Sequence, residues 1–273
     1  MTQTPKLTDR AALIRNRARA ARAPALFLQE EAAVEIKDRL GMVNRAFTQP
    51  AVVTGFPQIW SALMPEARIV PDDEVLTLEE GAHDLVIHAL SLHWASDPVG
   101  QLIQCRRALK PDGLCLVSLF GGQTLNELRT ALAEAEARVT GGLSPRILPM
   151  GEIRDLGGLL QRAGFALPVA DSITLNVSYA NPHSLMRDLR AMGEGNALAA
   201  RLRHPTRRAV LNEASSLYAS LHGDSGGRVP ATFEMIFLSG WAPDDSQPKP
   251  LRPGSAKARL ADALGSTESR LQD

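Results

Sequence analysis

The sequence has little that would mark a secreted, membrane-spanning or nucleic-acid-binding protein. It holds two cysteines, Cys105 and Cys115, and their spacing matches no CxxC or zinc pattern. Both are read as reduced, structural thiols, Cys115 on a strand and Cys105 on a helix. No run of about 20 apolar residues occurs, and there is no apolar signal core, so neither a membrane span nor secretion is expected. Basic charge is not in excess: 30 Lys and Arg face 30 Asp and Glu. That balance argues against a protein that binds nucleic acid or a membrane surface through its net charge. No internal repeat is found.

What is present suffices for a sizeable core. Hydrophobic residues make up 44% of 273, which suits one large domain, or one domain with additions. The charge balance hides an asymmetry, because Lys6, Arg10, Arg15, Arg17, Arg19 and Arg22 face only Asp9 at the start of the chain. This composition is shared by organelle transit peptides and by solvated amphipathic helices, and the helix is the reading adopted.

Periodicity predicts helices over residues 8–22 and 25–41, a strand at 51–54, a helix at 57–63 and a strand at 67–70. Residues 84–90 read as a buried strand and 98–109 as a helix ended by Lys110-Pro111-Asp112-Gly113. Residues 114–120 are a near-continuous apolar strand, the kind covered on both faces. Helices follow at 124–139 and 153–163. Extended segments at 173–179 and 231–241 enclose helices at 182–192, 197–203 and 205–222. The alternation of strands and helices implies an α/β fold with a mostly parallel sheet flanked by helices. The organisation expected is an N-terminal helical cap (1–45), a main domain (46–242) with a helical insertion (182–222), and a flexible tail (243–273).

In such a sheet ligands bind beyond the C-terminal strand ends, near the point where strand order reverses. Three places qualify. The turn after the first strand, Val53-Thr54-Gly55-Phe56-Pro57, has one glycine where a nucleotide cofactor needs close backbone approach; an ordinary strand-to-helix turn is the competing reading. Asp72 and Asp73 follow the second strand, where an acid can hold ribose or adenine, though Pro-Asp pairs also make plain turns. His93, in Ser91-Leu92-His93-Trp94, is a candidate general base or polar contact, against the alternative of a packed structural histidine. His83, His88 and His93 recur every five residues along a strand and its exit. They alternate in face, and no metal site is expected from them.

From Asp84 onward the residues form a familiar pattern. DLVIHALSLHWASDP (84–98) and RRALKPDG (106–113) resemble the second half of class I S-adenosylmethionine methyltransferases. Phe27 to Glu31, Leu119 to Leu125, Gly141 to Pro145, Asp155 to Leu160, Arg162 to Phe165, Asp188 to Asn196, Val229 to Phe233 and Gly240-Trp241 narrow this further. Together they resemble the mitochondrial complex I assembly factor 5 family and its bacterial relatives, over residues 10–264 and most weakly at 48–70.

The resemblance implies a Rossmann-like class I methyltransferase fold, shortened in its first half, and S-adenosylmethionine as cofactor. The implied cofactor contacts are Gly55, the acids Asp72 and Asp73 at the adenine, and Leu90 and His93 at the strand end. His93 is also the one catalytic candidate. It further implies a protein partner or substrate, such as a complex I subunit, and a cytoplasmic protein of a bacterial cell, attached to the inner membrane only through that partner. The activity expected is methyl transfer. The alternatives are a non-catalytic assembly factor and a protein arginine hydroxylase.

One stretch departs from the family. Its Asp-x-Gly-x-Gly loop is absent near residues 52–57, where only Gly55 corresponds. Asp72 comes 17 positions after Gly55, too soon for the family's helix-strand-helix-strand passage. A strand, a helix and the acid expected at the ribose are therefore missing.

Overall fold

The computed structural model describes residues 6–248. In chain order the elements are α1 (Arg10–Ala20), α2 (Phe27–Met42), β1 (Pro50–Thr54), α3 (Pro57–Leu63), β2 (Arg68–Val70), β3 (His83–Ala89), α4 (Pro98–Ala108) and β4 (Leu109–Phe120). They continue as α5 (Asn126–Thr140), α6 (Ile153–Arg162), β5 (Ala166–Tyr179), α7 (Pro182–Ala191), α8 (Arg208–His222) and β6 (Val229–Trp241).

The six strands form one sheet in the order β2-β1-β3-β4-β6-β5. β2, β1, β3 and β4 are parallel, and β6 runs antiparallel between β4 and β5. Side chains alternate across the strands, so Val52, Leu85, Ile87, Leu114 and Leu116 enter one core with α2, α5 and α8. Ala51, Val53, Val86, Cys115 and Val117 enter the other, with α4 and α6. Both faces being covered explains why β1, β3 and β4 read as unbroken apolar runs.

The shortened first half is visible here. Residues 55–67, carrying the seven-residue α3, are about the shortest stretch that can cross between parallel strands. β2 is three residues long and lies directly beside β1. The chain builds β1 and β2 on one side and then returns to the other with β3. Strand order therefore reverses at β1 and β3, and the crevice opens at Thr54-Gly55 and at Ala89 to Ser91.

Sequence and structure differ at several boundaries. No helix forms over 197–203; Leu198 instead makes an isolated antiparallel bridge with Thr8. The helix expected from 205 begins at Arg208. The helix expected from 124 begins at Asn126, because Leu125 takes a left-handed φ of 55°. β5 starts at Ala166, seven residues before the extended segment predicted at 173, and carries an irregularity between Ala166 and Val169. The Lys110 to Gly113 turn lies inside β4, with Asp112 at φ 57°.

α2 contributes Leu28, Ala32, Ala33 and Ile36 to the main core. α8 packs on α5, and α7 lies against α1 and α8. Among the described residues, those to Pro243 belong to one compact unit and Asp244 to Pro248 to a second. Of the tail expected from 243, the part beyond Pro248 lies outside the described residues; up to there, the Ser246 amide donates to Asp244 Oδ1 at 2.9 Å. Among the described residues no helix is long and apolar enough to cross a membrane.

Candidate functional site

Two cavities lie beyond the strand ends. The first, of about 590 Å³, is walled by Thr54, Gly55 and Phe56 after β1, by Val70, Pro71, Asp72 and Asp73 after β2, and by α1. Three of the sequence candidates, Gly55, Asp72 and Asp73, are thus brought together. Because β2 adjoins β1, Asp72 stands at the end of the neighbouring strand. In a dinucleotide fold that is the place of the acid that holds ribose, one strand nearer than the adenine position assigned from sequence.

Asp72 is 3% exposed and already engaged. Arg10 Nη2 donates to its Oδ1 at 2.7 Å, and Arg17 Nη1 reaches Oδ1 at 2.8 Å and Oδ2 at 2.9 Å. Arg10 also donates to the more exposed Asp73 at 3.1 Å. Burial alone would push the Asp72 carboxyl up. The charge of Arg17 and the hydrogen bonds from both arginines outweigh it and hold the group well below the usual carboxylate range.

Arg17 also lies over Gly55, where a Cβ would collide with its guanidinium. That guanidinium stands 5.4 Å from the Phe56 ring centroid. The glycine therefore permits close approach by the chain's own arginine. Trp60 is buried in the main core and Phe56 is at the cleft wall.

α1 is held in this place along its length. Asp9 caps it by accepting from the Ala12 amide at 3.0 Å, and pairs with Arg201 and Arg203. Thr8 Oγ1 donates to the Trp94 carbonyl at 2.7 Å, and Asn16 Nδ2 to the Gly195 carbonyl at 3.0 Å. Ala12 and Leu13 pack with Trp94, Leu148, Ala197 and Leu198. The expected basic helix is present, but two of its arginines face inward, while Arg15, Arg19 and Arg22 are exposed.

The second cavity, of about 190 Å³, is mostly apolar, with Leu28, Phe120, Leu125, Leu128 and Phe233 among its walls. His93 reaches it from the short turn Leu92–Trp94 after β3. The His93 side chain is 2% exposed, and its ring centroid lies 4.8 Å from that of Phe120. Neither ring nitrogen has a hydrogen-bond partner. The nearest charge is Glu194, whose Oε2 lies 3.6 Å from Nε2. Glu194 Oε2 accepts from Trp94 Nε1 at 2.7 Å, while its Oε1 has no partner.

Glu194 was not singled out from sequence, although it stands between Gly193 and Gly195 in a quoted motif. Gly193, at φ 78°, turns that loop against the Arg17 stem, so the arginine that lines the first cavity also packs against the loop that carries Glu194.

The remaining candidates go elsewhere. Leu90, at φ 39°, is buried in the main core, donates its amide to Ser118 Oγ at 2.9 Å and lines neither cavity. His83 meets the Gln49 carbonyl at 3.1 Å. His88 is buried against Gln101 Oε1 at 2.8 Å, and Gln101 Nε2 in turn donates to the Asp73 carbonyl at 3.0 Å. His88 thus helps to hold the acid-bearing loop without entering the cleft.

A family profile described as "Methyltransferase domain" matches residues 57–117, the stretch from α3 into β4. The chain is 41% identical over 197 residues to "Arginine-hydroxylase NDUFAF5, mitochondrial" of Dictyostelium discoideum, and 40% identical over 199 residues to that of Danio rerio. These alignments cover 72% and 73% of this chain. The chain is similar in sequence to the NDUFAF5 proteins. With the strand order above, its fold is that of the Rossmann-like class I methyltransferases. It is also 35% identical over 64% of its length to the "Malonyl-[acyl-carrier protein] O-methyltransferase" of Nitrosospira multiformis, covering 54% of that protein. The solved YcgJ protein of Bacillus subtilis superposes on 77% of this chain and 98% of its own at 11% identity, with a TM-score of 0.49. The chain spans only 45% and 62% of the two NDUFAF5 relatives.

The fold implies S-adenosylmethionine, and the first cavity is where it would lie. The residues present do not fit it as arranged. Asp72 gives its oxygens to two guanidinium groups, and Arg17 covers the glycine. Freeing Asp72 would leave buried charges unpaired, at about 3–5 kcal/mol, which weakens binding by about a hundredfold to a few thousandfold.

Proposed function

We propose that this chain is a methyltransferase-fold protein that has turned its cofactor cleft over to its own N-terminal helix and works by binding a protein partner. The observation that carries this reading is the placement of Arg17, which occupies the glycine turn and the strand-end acid together. By analogy with its NDUFAF5 relatives, the partner would be a subunit of respiratory complex I during assembly. The protein would act in the cytoplasm, reaching the inner membrane only through that subunit. Catalysis by methyl transfer, the leading expectation from sequence, ranks second here. It is supported by the names of the methyltransferase relatives and by His93, an unpartnered imidazole in a cavity. Arginine hydroxylation rests on the names of the NDUFAF5 relatives alone.

Incubation of the purified chain with methyl-labelled S-adenosylmethionine and an extract of the source cells is expected to label no protein above background. Transfer to any extract component, abolished by heating the chain, would overturn the non-catalytic reading.

A further inference from the structure

The second cavity has a chemistry that the engagement of Asp72 and Gly55 by α1 leaves unexplained. Its walls are mostly apolar, and of the polar residues among them, which include Arg146, Arg190 and Asn196, His93 and Glu194 have buried atoms with unmet hydrogen-bonding capacity. His93 has two unpartnered ring nitrogens, and Glu194 has one unpartnered carboxylate oxygen. Leaving such groups unpaired inside a protein is costly, and their survival asks for a ligand, a catalytic role or water.

The pair sets what head group would suit. Glu194 Oε1 can only accept, so it asks for a donor. An imidazole ring also offers an N–H, which asks for an acceptor. A hydroxyl meets both demands through one oxygen, whereas an ammonium can only donate and a carboxylate at that point would be set against Glu194; of the two arginines that also line the cavity, Arg146 is already paired with Glu136 and Arg190 is exposed. The pocket sets the body. At about 190 Å³ it exceeds the roughly 150 Å³ apolar cavity that is known to accept benzene. Phe120 and Phe233 are among its walls, their rings 6.3 Å apart, and they suit an aromatic guest.

We propose that this cavity binds a phenol-type ligand, its ring among Phe120, Phe233, Leu125 and Leu128 and its hydroxyl bridging His93 and Glu194. Trp94 positions Glu194 for this through its indole N–H. The site is separate from the cofactor cleft, so the inference stands whether or not the chain transfers methyl groups.

The test is a titration of the full chain with phenol and, in parallel, with toluene, a guest of similar shape without the hydroxyl, followed by the methyl resonances of Leu125 and Leu128. Phenol is expected to bind at least about tenfold more tightly than toluene, as a hydrogen bond to a charged group allows. Glu194→Gln, similar in shape, is expected to lose most of that preference while keeping its circular dichroism. Equal affinities for phenol and toluene would show a merely greasy pocket whose polar groups are met by water, and would overturn the proposal. So would the absence of saturable binding by either guest up to its solubility limit.

Discussion

At the scale of single residues, the site is governed by where charge is buried and what meets it. Asp72 and His88 show two opposite solutions: the acid is kept charged by two arginines, and the imidazole is buried against a neutral amide. Burial comes first among the causes at His88 and lowers its tendency to take a proton, more than the hydrogen bond to Gln101 raises it. The unfolded chain then binds a proton at His88 from about pH 6.5 downward, where the folded chain resists it. A folded-state value below the unfolded one means stability that is complete above about pH 6.5 and is lost on acidification toward the folded value. Urea denaturation at pH 7, 6 and 5 should show stability falling by up to about 1.4 kcal/mol per pH unit from this group, with a smaller slope in His88→Asn. An equal slope in the variant would place the effect elsewhere. Little of this was visible in the sequence. The five-residue spacing of His83, His88 and His93 showed that they part company, but not that His88 holds the Asp73 loop through Gln101. Glu194 had a sequence signal, an acid between two glycines, but its meaning depends on Trp94, 100 residues away.

At the scale of elements, legibility followed burial. β3 and β4 are covered on both faces and announced themselves as apolar runs. β5 is an edge strand whose residues alternate between partly buried and exposed, and its first half, with Pro168 and Asp171, gave too weak a pattern to read. The apolar residues at 197–203 suggested a helix because their spacing was satisfied locally; tertiary contact with the segment that leads into α1 won instead, through the Thr8 to Leu198 bridge. α1 itself was predicted as a helix from composition, but its role could not be, because Arg10 and Arg17 meet an acid 62 and 55 residues away. That latch is testable. Asp72→Asn leaves the largely buried Arg17 without its anion and Arg10 with Asp73 alone, and is expected to destabilise the fold by about 3–5 kcal/mol. Hydrogen exchange should show α1 amides losing protection before those of β3 and β4. Unchanged α1 protection would mean that the packing of Leu13 and the cap at Asp9 hold the helix without the latch.

At the scale of the whole molecule, the departure read in the sequence between Gly55 and Asp72 and the role of α1 belong to one arrangement. Shortening the passage brought β2 against β1, set Asp72 beside the glycine turn, and put both within reach of Arg17. The fold class and its abridgement were legible because they rest on strand and turn patterns along the chain. The engagement of the cleft's acid by Arg10 and Arg17 was not, because it rests on a contact between the two ends of the first 73 residues. The most direct measurement is calorimetric titration of the full chain with S-adenosylhomocysteine. The account predicts no heat of binding up to millimolar ligand, since two buried ion pairs must open before the ribose can be held. Saturable binding at micromolar concentration would contradict it, and would show that the cleft remains a working cofactor site despite Arg10 and Arg17.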